Sequence, residues 1–271
     1  MLGWSWGLGW RGFVGSGGVR GLIGSRVGRS PFHVKRRRMG RGVGVVSRET
    51  VAVPEVAARV FGDRLGLAVR FAEMLIEQGE TRGLIGPREV ERVWDRHMLN
   101  SAVVSDLLAP NASVVDVGSG AGLPGLPMAI ARPDVSITLL EPMARRVAWL
   151  TEVVEELDLD VTVVRGRAEE KAVREQLAGA DVVTARAVAP LAKLAGWCLP
   201  LTRPEGQLLA LKGSSAAEEL ARDEQAVAAV GGVNGRIVVC GEGVLEVPTT
   251  VVVVDRAPGR DGKRRRRKDR G

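Results

Sequence analysis

Cysteine is scarce in this chain of 271 residues: Cys198 and Cys240 stand alone, each inside an apolar segment. Two such thiols exclude a disulfide framework and a multi-cysteine metal site, and they suit a reducing compartment. Long apolar runs are missing as well. None approaches the roughly 18 residues of a membrane-spanning helix, so a membrane protein is not expected. Acidic residues are nearly absent from residues 1–50, which hold ten Lys or Arg against Glu49 alone.

That asymmetry shapes the charge. The whole chain carries +7; residues 1–50 carry +9 and residues 257–271 carry +6, which leaves −8 for residues 51–256. Affinity for an acidic partner such as nucleic acid is therefore expected in the tails and in local patches, not in the body. Residues 1–50 also hold thirteen of the 35 glycines, interleaved with Trp4, Trp6, Trp10 and arginines without periodicity. They read as a disordered Gly/Arg-rich leader, and residues 257–271 as a basic disordered tail. The leader lacks the continuous apolar stretch of a secretory signal; its composition suits an organelle transit segment or translated upstream sequence. Lys35 to Arg38 and Lys263 to Lys268 read as solvated charge that grips phosphates only non-specifically.

Between the tails the pattern becomes periodic. Val56, Val60, Leu65, Leu67, Val69, Phe71, Met74, Leu75 and Ile76 mark two helices parted near Gly62-Asp63, and Pro87 suits a first helical residue. From Val90 to Leu107 apolar residues recur at helical spacing, so residues 54–109 are expected to form an N-terminal helical cap. Residues 111–255 then alternate. Strands are expected near 113–118, 135–141, 160–165, 180–185, 206–212, 235–240 and 249–255, with helices near 123–132, 142–158, 168–178, 188–199 and 214–230. Strand then helix with short links calls for an α/β fold, a doubly wound, mostly parallel sheet covered on both faces. The last two strands, joined by Gly241 to Pro248 without a helix, read as antiparallel.

The densest signal is Val114-Val115-Asp116-Val117-Gly118-Ser119-Gly120-Ala121-Gly122-Leu123-Pro124-Gly125, an apolar strand running through an acid into glycines. Glycines at alternate positions let a ligand approach the backbone, and a helix from Leu123 would aim free N–H groups at the same place. A nucleotide-like cofactor fits there. Gly120-x-Gly122-x-x-Gly125 satisfies the dinucleotide fingerprint, while Asp116-x-Gly118-x-Gly120-x-Gly122 satisfies the pattern of S-adenosylmethionine enzymes. Glu141 closes the second strand 23 residues beyond Gly118, where a carboxylate serves a ribose in either case. Asp116 favours the methyl donor, because it would meet the ammonium and sulfonium end and repel a pyrophosphate. No Lys or Arg stands in the loop for a diphosphate, and no Lys-Ser/Thr follows the glycines, which removes the P-loop. In the loop after the third strand, Ala168 by its backbone or Glu169 is a candidate for the adenine amino group.

These residues give the chain a resemblance to the bacterial 16S rRNA (guanine-N7) methyltransferase family, also known as glucose-inhibited division protein B, over about residues 54–255. Arg96-His97-Met98-Leu99-Asn100-Ser101, the loop from Asp116 to Gly125, Ala185-Arg186-Ala187 and Leu211-Lys212-Gly213 match four of its signatures in order. Ser119 and Ala121 depart from the Thr and Pro common there, and the stretch between Glu169 and Arg186 is slightly longer. The resemblance implies a seven-stranded Rossmann-like class I methyltransferase sheet and methylation of N7 of guanine 527, in the 530 loop. It implies a donor site of Gly118, Leu123, Ala168, Glu169 and Arg186, with Glu141 on the ribose; Asp116 and Gly120 belong to the same turn. Guanine N7 offers an in-plane lone pair and no proton, so no proton-transferring residue is needed, and in-line positioning carries the reaction.

Positioning candidates are Arg186, for the donor or a phosphate, Lys212, for RNA backbone, and His97, for a base or for fixing the cap. The expected partner is 16S rRNA or the small ribosomal subunit, with no metal and no membrane, for a cytoplasmic monomer. Two rivals stay open: an NAD-type oxidoreductase using the alternative glycine fingerprint, and a donor-binding RNA regulator without turnover.

Overall fold

The computed structural model describes residues 52–186 and 188–259, so the leader and nearly all of the basic tail lie outside the described residues. Seven strands form one sheet in the order β3-β2-β1-β4-β5-β7-β6. They are β1 Ser113–Val117, β2 Ser136–Glu141, β3 Val161–Arg165, β4 Ala180–Arg186, β5 Thr202–Lys212, β6 Gly232–Cys240 and β7 Thr249–Arg256. All the strands expected are present. β7 is the reversed strand, antiparallel to both β5 and β6.

Side chains alternate along every central strand, and both faces are covered. Val114, Val182, Leu209, Leu211, Val251 and Val253 enter one core, whereas Val115, Val183, Leu208, Ala210, Val252 and Val254 enter the other. This is the period of two that a doubly covered strand must show. The first core is closed by α1 Glu55–Phe61, α2 Leu65–Gln78, α3 Asn100–Ala102, α4 Gly125–Ala131 and α5 Ala144–Glu156. The second is closed by α6 Lys171–Leu177, α7 Leu191–Cys198 and α8 Ala216–Ala229. Because Phe71, Leu75, Met98 and Leu99 are buried in the same core as Leu126, Ile130 and Leu139, the N-terminal helices pack directly onto the sheet's first face.

Two departures from the sequence reading bear on the site. α4 begins at Gly125, not Leu123: Gly122 ahead of it is left-handed, and the Gly125 amide is capped by Asp116 Oδ2. The helical stretch up to Leu108 is not a uniform α-helix. It opens with a 3₁₀ turn Pro87–Glu89, widens into a π-helix over Val93–Leu99, narrows through α3 and ends in a 3₁₀ turn Val103–Leu107. π-segments of this kind gather at functional sites. This one carries Arg96 and His97.

Between β1 and β4 the winding direction reverses, since the chain moves outward from β1 to β3 and then returns to β4 and β5. Beyond the carboxyl ends of strands at such a reversal a doubly wound sheet leaves its crevice. The glycine turn leaves β1 there, and Arg186 ends β4.

Candidate functional site

Gly118, Gly120 and Gly122 adopt φ of 72°, 58° and 98°, a left-handed conformation that explains glycine at each. Most amides of this turn are committed inward. Gly118 and Ser119 N–H donate to the Leu140 carbonyl, and Gly122 and Leu123 N–H donate to the Ser119 carbonyl. Gly120 N–H donates to Glu141 Oε2 at 2.9 Å, and Gly125 N–H to Asp116 Oδ2 at 3.1 Å. The free N–H groups expected at the start of the helix are therefore spoken for. Leu123 itself is buried in the first core.

Pleat parity decides where the acids point. Asp116 shares the face of Val114, so its carboxylate passes under α4 and has no exposed surface. Burial pushes it up to about 7, and Oδ1 has no partner within the protein. From there Asp116 holds the turn from behind through Gly125 N–H, a position from which it can orient the turn. Glu141 follows Leu139 onto the same face and is 1% exposed. Oε1 accepts from Met143 N–H at 2.9 Å, so each carboxylate oxygen already holds one backbone amide. Further acceptor capacity remains on both.

Two residues behind the turn carried no sequence signal. Trp149 of α5 is wholly buried, and its indole N–H donates to the Ala121 carbonyl at 3.1 Å. Arg146, one turn earlier, brings Nη1 to 4.0 Å from Glu141 Oε2 and lies beside Gly120. The loop itself holds no Lys or Arg, as expected; the cation beside it comes from α5 and is turned toward Glu141. Ala168 is buried and its carbonyl accepts from Arg174 Nε at 3.0 Å, while Glu169 beside it is exposed.

Arg186 shares the face of Val182 and so meets the N-terminal helices. Its Nη1 donates to the Arg96 carbonyl at 3.1 Å, and Nη2 lies 2.9 Å from His97 Nδ1. His97 is buried, and burial followed by the Arg186 charge pulls its ring down to about 4. A neutral ring accepts at Nδ1 and keeps its proton on Nε2, which lies 3.6 Å from Glu89 Oε1. Glu89, in turn, accepts from Gly86 N–H, a bond that holds its carboxyl below the usual range. Lys212 takes the other parity. It points to the α7 and α8 side, where Nζ donates to the Ala189 carbonyl at 2.8 Å and pairs with Glu219 at 2.9 Å.

A cleft of about 980 Å³ opens at this edge of the sheet, bounded by Arg92, Arg96, His97, Arg186, Lys212 and Thr250 among others. It continues from Arg186 over the ends of β5 and β7, away from the glycine turn. The structure thus joins His97 and Arg186 directly, places Lys212 on the neighbouring strand with its amine turned toward α8, and leaves Glu141 and Asp116 beneath the turn. Among the described residues there is no cluster of three or more His, Cys, Asp or Glu side chains able to hold a metal, and no helix long and apolar enough to cross a membrane. Cys198 and Cys240 are buried and unpaired.

Residues 64–247 match the family model described as rRNA small subunit methyltransferase G. The chain is 58% identical over 208 residues to ribosomal RNA small subunit methyltransferase G of Rhodococcus jostii (strain RHA1), spanning 77% of this chain and 92% of that protein. To the protein of the same name from Mycobacterium marinum (strain ATCC BAA-535 / M) it is 52% identical over 216 residues, spanning 80% and 95%. Among solved structures, apo S-adenosylmethionine-dependent methyltransferase SibL superposes with a TM-score of 0.49 at 16% identity, covering 72% of this chain and 74% of that one. A family-model match over residues 64–247 and relatives more than 50% identical over most of their length place the chain in the rRNA small subunit methyltransferase G family, to which it belongs.

Proposed function

We propose that this protein transfers the methyl group of S-adenosylmethionine to N7 of guanine 527, in the 530 loop of 16S rRNA. The observation that carries the reading beyond family membership is the turn itself. The amides of Gly118, Ser119, Gly120, Gly122, Leu123 and Gly125 are consumed internally, so it offers little to a pyrophosphate, yet its backbone is open at Gly120. Such a turn suits a cofactor with no phosphate. Gly118, Gly120 and Leu123 would line the donor, with Glu141 on the ribose, Ala168 and Glu169 near the adenine, and Arg186 at the reacting end. When bound, the donor supplies a sulfonium methyl.

The chain's own task is placement. Guanine N7 attacks through a lone pair and releases no proton, so the neutral His97 has none to take. Arg186, fixed by His97 and by the Arg96 carbonyl, orients the reacting end between turn and cleft. The cleft takes the nucleotide, with Arg92 and Arg96 exposed on its rim for phosphate. A cytoplasmic monomer acting on the small subunit completes the reading.

Small ribosomal subunits lacking the modification, incubated with labelled S-adenosylmethionine, test it. Label on N7 of one guanine is the expected result. Donor binding without label would favour a regulator, and quenching of nicotinamide fluorescence on titration would favour the oxidoreductase.

A further inference from the structure

Ala189, just before α7, and the first two residues of α7 are held from outside at three backbone groups. Lys212 Nζ donates to the Ala189 carbonyl at 2.8 Å. Glu219 Oε1 accepts from Leu191 N–H at 3.0 Å while its Oε2 pairs with that same Lys212 Nζ at 2.9 Å. Asp223 Oδ2 accepts from Ala192 N–H at 3.0 Å. Lys212 and Glu219 side chains are each only 13% exposed, so their pairing is shielded from water. Pro190, between the held groups, has its φ fixed by its ring.

The link that runs from β4 into this segment touches the glycine turn. A Cβ on Gly118 would lie 3.0 Å from Val188 Cγ2, so Val188 sits directly against the turn. Arg186 at the start of the link and Lys212 at its anchor both border the cleft. The link therefore stands where the proposed donor and acceptor must meet, and a displacement of about 1 Å at such a place costs on the order of 100-fold in rate.

We propose that Glu219 and Lys212 are positioning residues that act as one clamp, setting the backbone of residues 188–191, ahead of and at the start of α7, for methyl transfer through Ala189 and Leu191. Lys212 on this account is not a phosphate contact. The inference rests on the functional reading above.

Glu219→Gln, Glu219→Asp and Lys212→Met in the full chain separate the roles, Glu219→Asp keeping the charge but not the reach. Each is expected to lower kcat by about tenfold or more, with KM for the subunit and the donor Kd little changed. The double variant K212M/E219Q should be no slower than the slower single, as for residues acting as a unit. The dependence of subunit binding on salt should be unaltered in all of them. A fall of about 0.7 to 0.9 in that slope for Lys212→Met alone, with Glu219 variants at full rate, would overturn the clamp and make Lys212 a phosphate contact. Full kcat in all variants would overturn it equally. Amide exchange supplies a readout independent of the reaction: Leu191 N–H should exchange about tenfold faster in Glu219→Gln. If the unaltered protein transfers no methyl, the functional reading fails, while unaltered exchange at Leu191 sinks the clamp itself.

Discussion

Arg186 Nη2 and His97 Nδ1 lie 2.9 Å apart, which ties the end of β4 to the π-helical segment of the N-terminal region. The bond requires a neutral ring, and the ring's surroundings keep it neutral. A guanidinium held by a ring nitrogen and the Arg96 carbonyl is directed, whereas a free one would sweep the cleft mouth.

Replacing Arg186 should therefore separate charge from geometry. Arg186→Ala is expected to abolish methyl transfer, and Arg186→Lys, which keeps a charge but loses the fork, to lower it by about 100-fold. Removing the donor also leaves the buried His97 nitrogen unpaired, at a cost of about 1–3 kcal/mol in stability. Single-turnover rates and urea unfolding of purified variants measure the two effects; an unchanged rate for Arg186→Ala would end its assigned role.

His97 gives stability a pH dependence whose sign is fixed. Its ring titrates near 6.5 when unfolded and near 4 when folded, so its contribution is full above pH 6.5 and is lost as pH falls through 4. The full difference is about 3 kcal/mol at the usual conversion. Asp116 works the other way: raised from 3.8 to about 7 by burial, it contributes stability at low pH that is lost as pH rises through 7. Comparing the protein with His97→Gln isolates the ring, because the glutamine carbonyl still accepts from Arg186. Urea unfolding between about pH 4.5 and 7 should show a steeper acid loss in the unsubstituted protein; parallel curves would contradict the neutral ring.

The glycines differ in what they exclude. A Cβ on Gly122 would lie 2.3 Å from Leu126 Cδ1, in a core where Leu126 has no exposure and cannot yield. Gly122→Ala should cost about 3 kcal/mol, combining overpacking with a left-handed backbone. Gly120→Ala meets nothing closer than 3.7 Å. Its cost should be about 1 kcal/mol, the backbone strain alone, and its larger effect should fall on donor affinity. Urea unfolding beside donor titration distinguishes them, and equal stabilities for the two variants would be inconsistent with this packing.

Glu141→Gln tests the acid beneath the turn. Its two oxygens accept from Gly120 and Met143 N–H, and an amide can accept at only one of them. The NH₂ then faces a backbone donor, so donor affinity should fall by about 10- to 100-fold. Calorimetric titration with S-adenosylmethionine measures it, and an unchanged Kd would remove Glu141 from the site.

Composition and periodicity alone carried the strands, their mostly parallel pairing and the place of the turn, since alternating apolar residues and glycine spacing are local properties; the order of the strands in the sheet was not among them. The side-chain partners were not legible. Val182, Val183 and Ala185 are all buried, so nothing in β4 tells which face Arg186 will take. The same holds for Lys212 in β5, where Leu208 to Leu211 are buried without a break.

Glu219 and Asp223 lie one turn apart on α8, a spacing that marks a shared face but not what that face holds. Trp149 and Arg146 could not have been connected with a turn more than twenty residues earlier in the chain. An α/β sheet with a nucleotide-binding turn at the end of its first strand is written in residues near one another, and was legible without the fold. Only the tertiary structure decided that Arg186 meets His97 while Lys212 meets Glu219. A strand buried on both faces carries no mark of which helices will cover each face, and that choice is made when the chain crosses from one side of the sheet to the other.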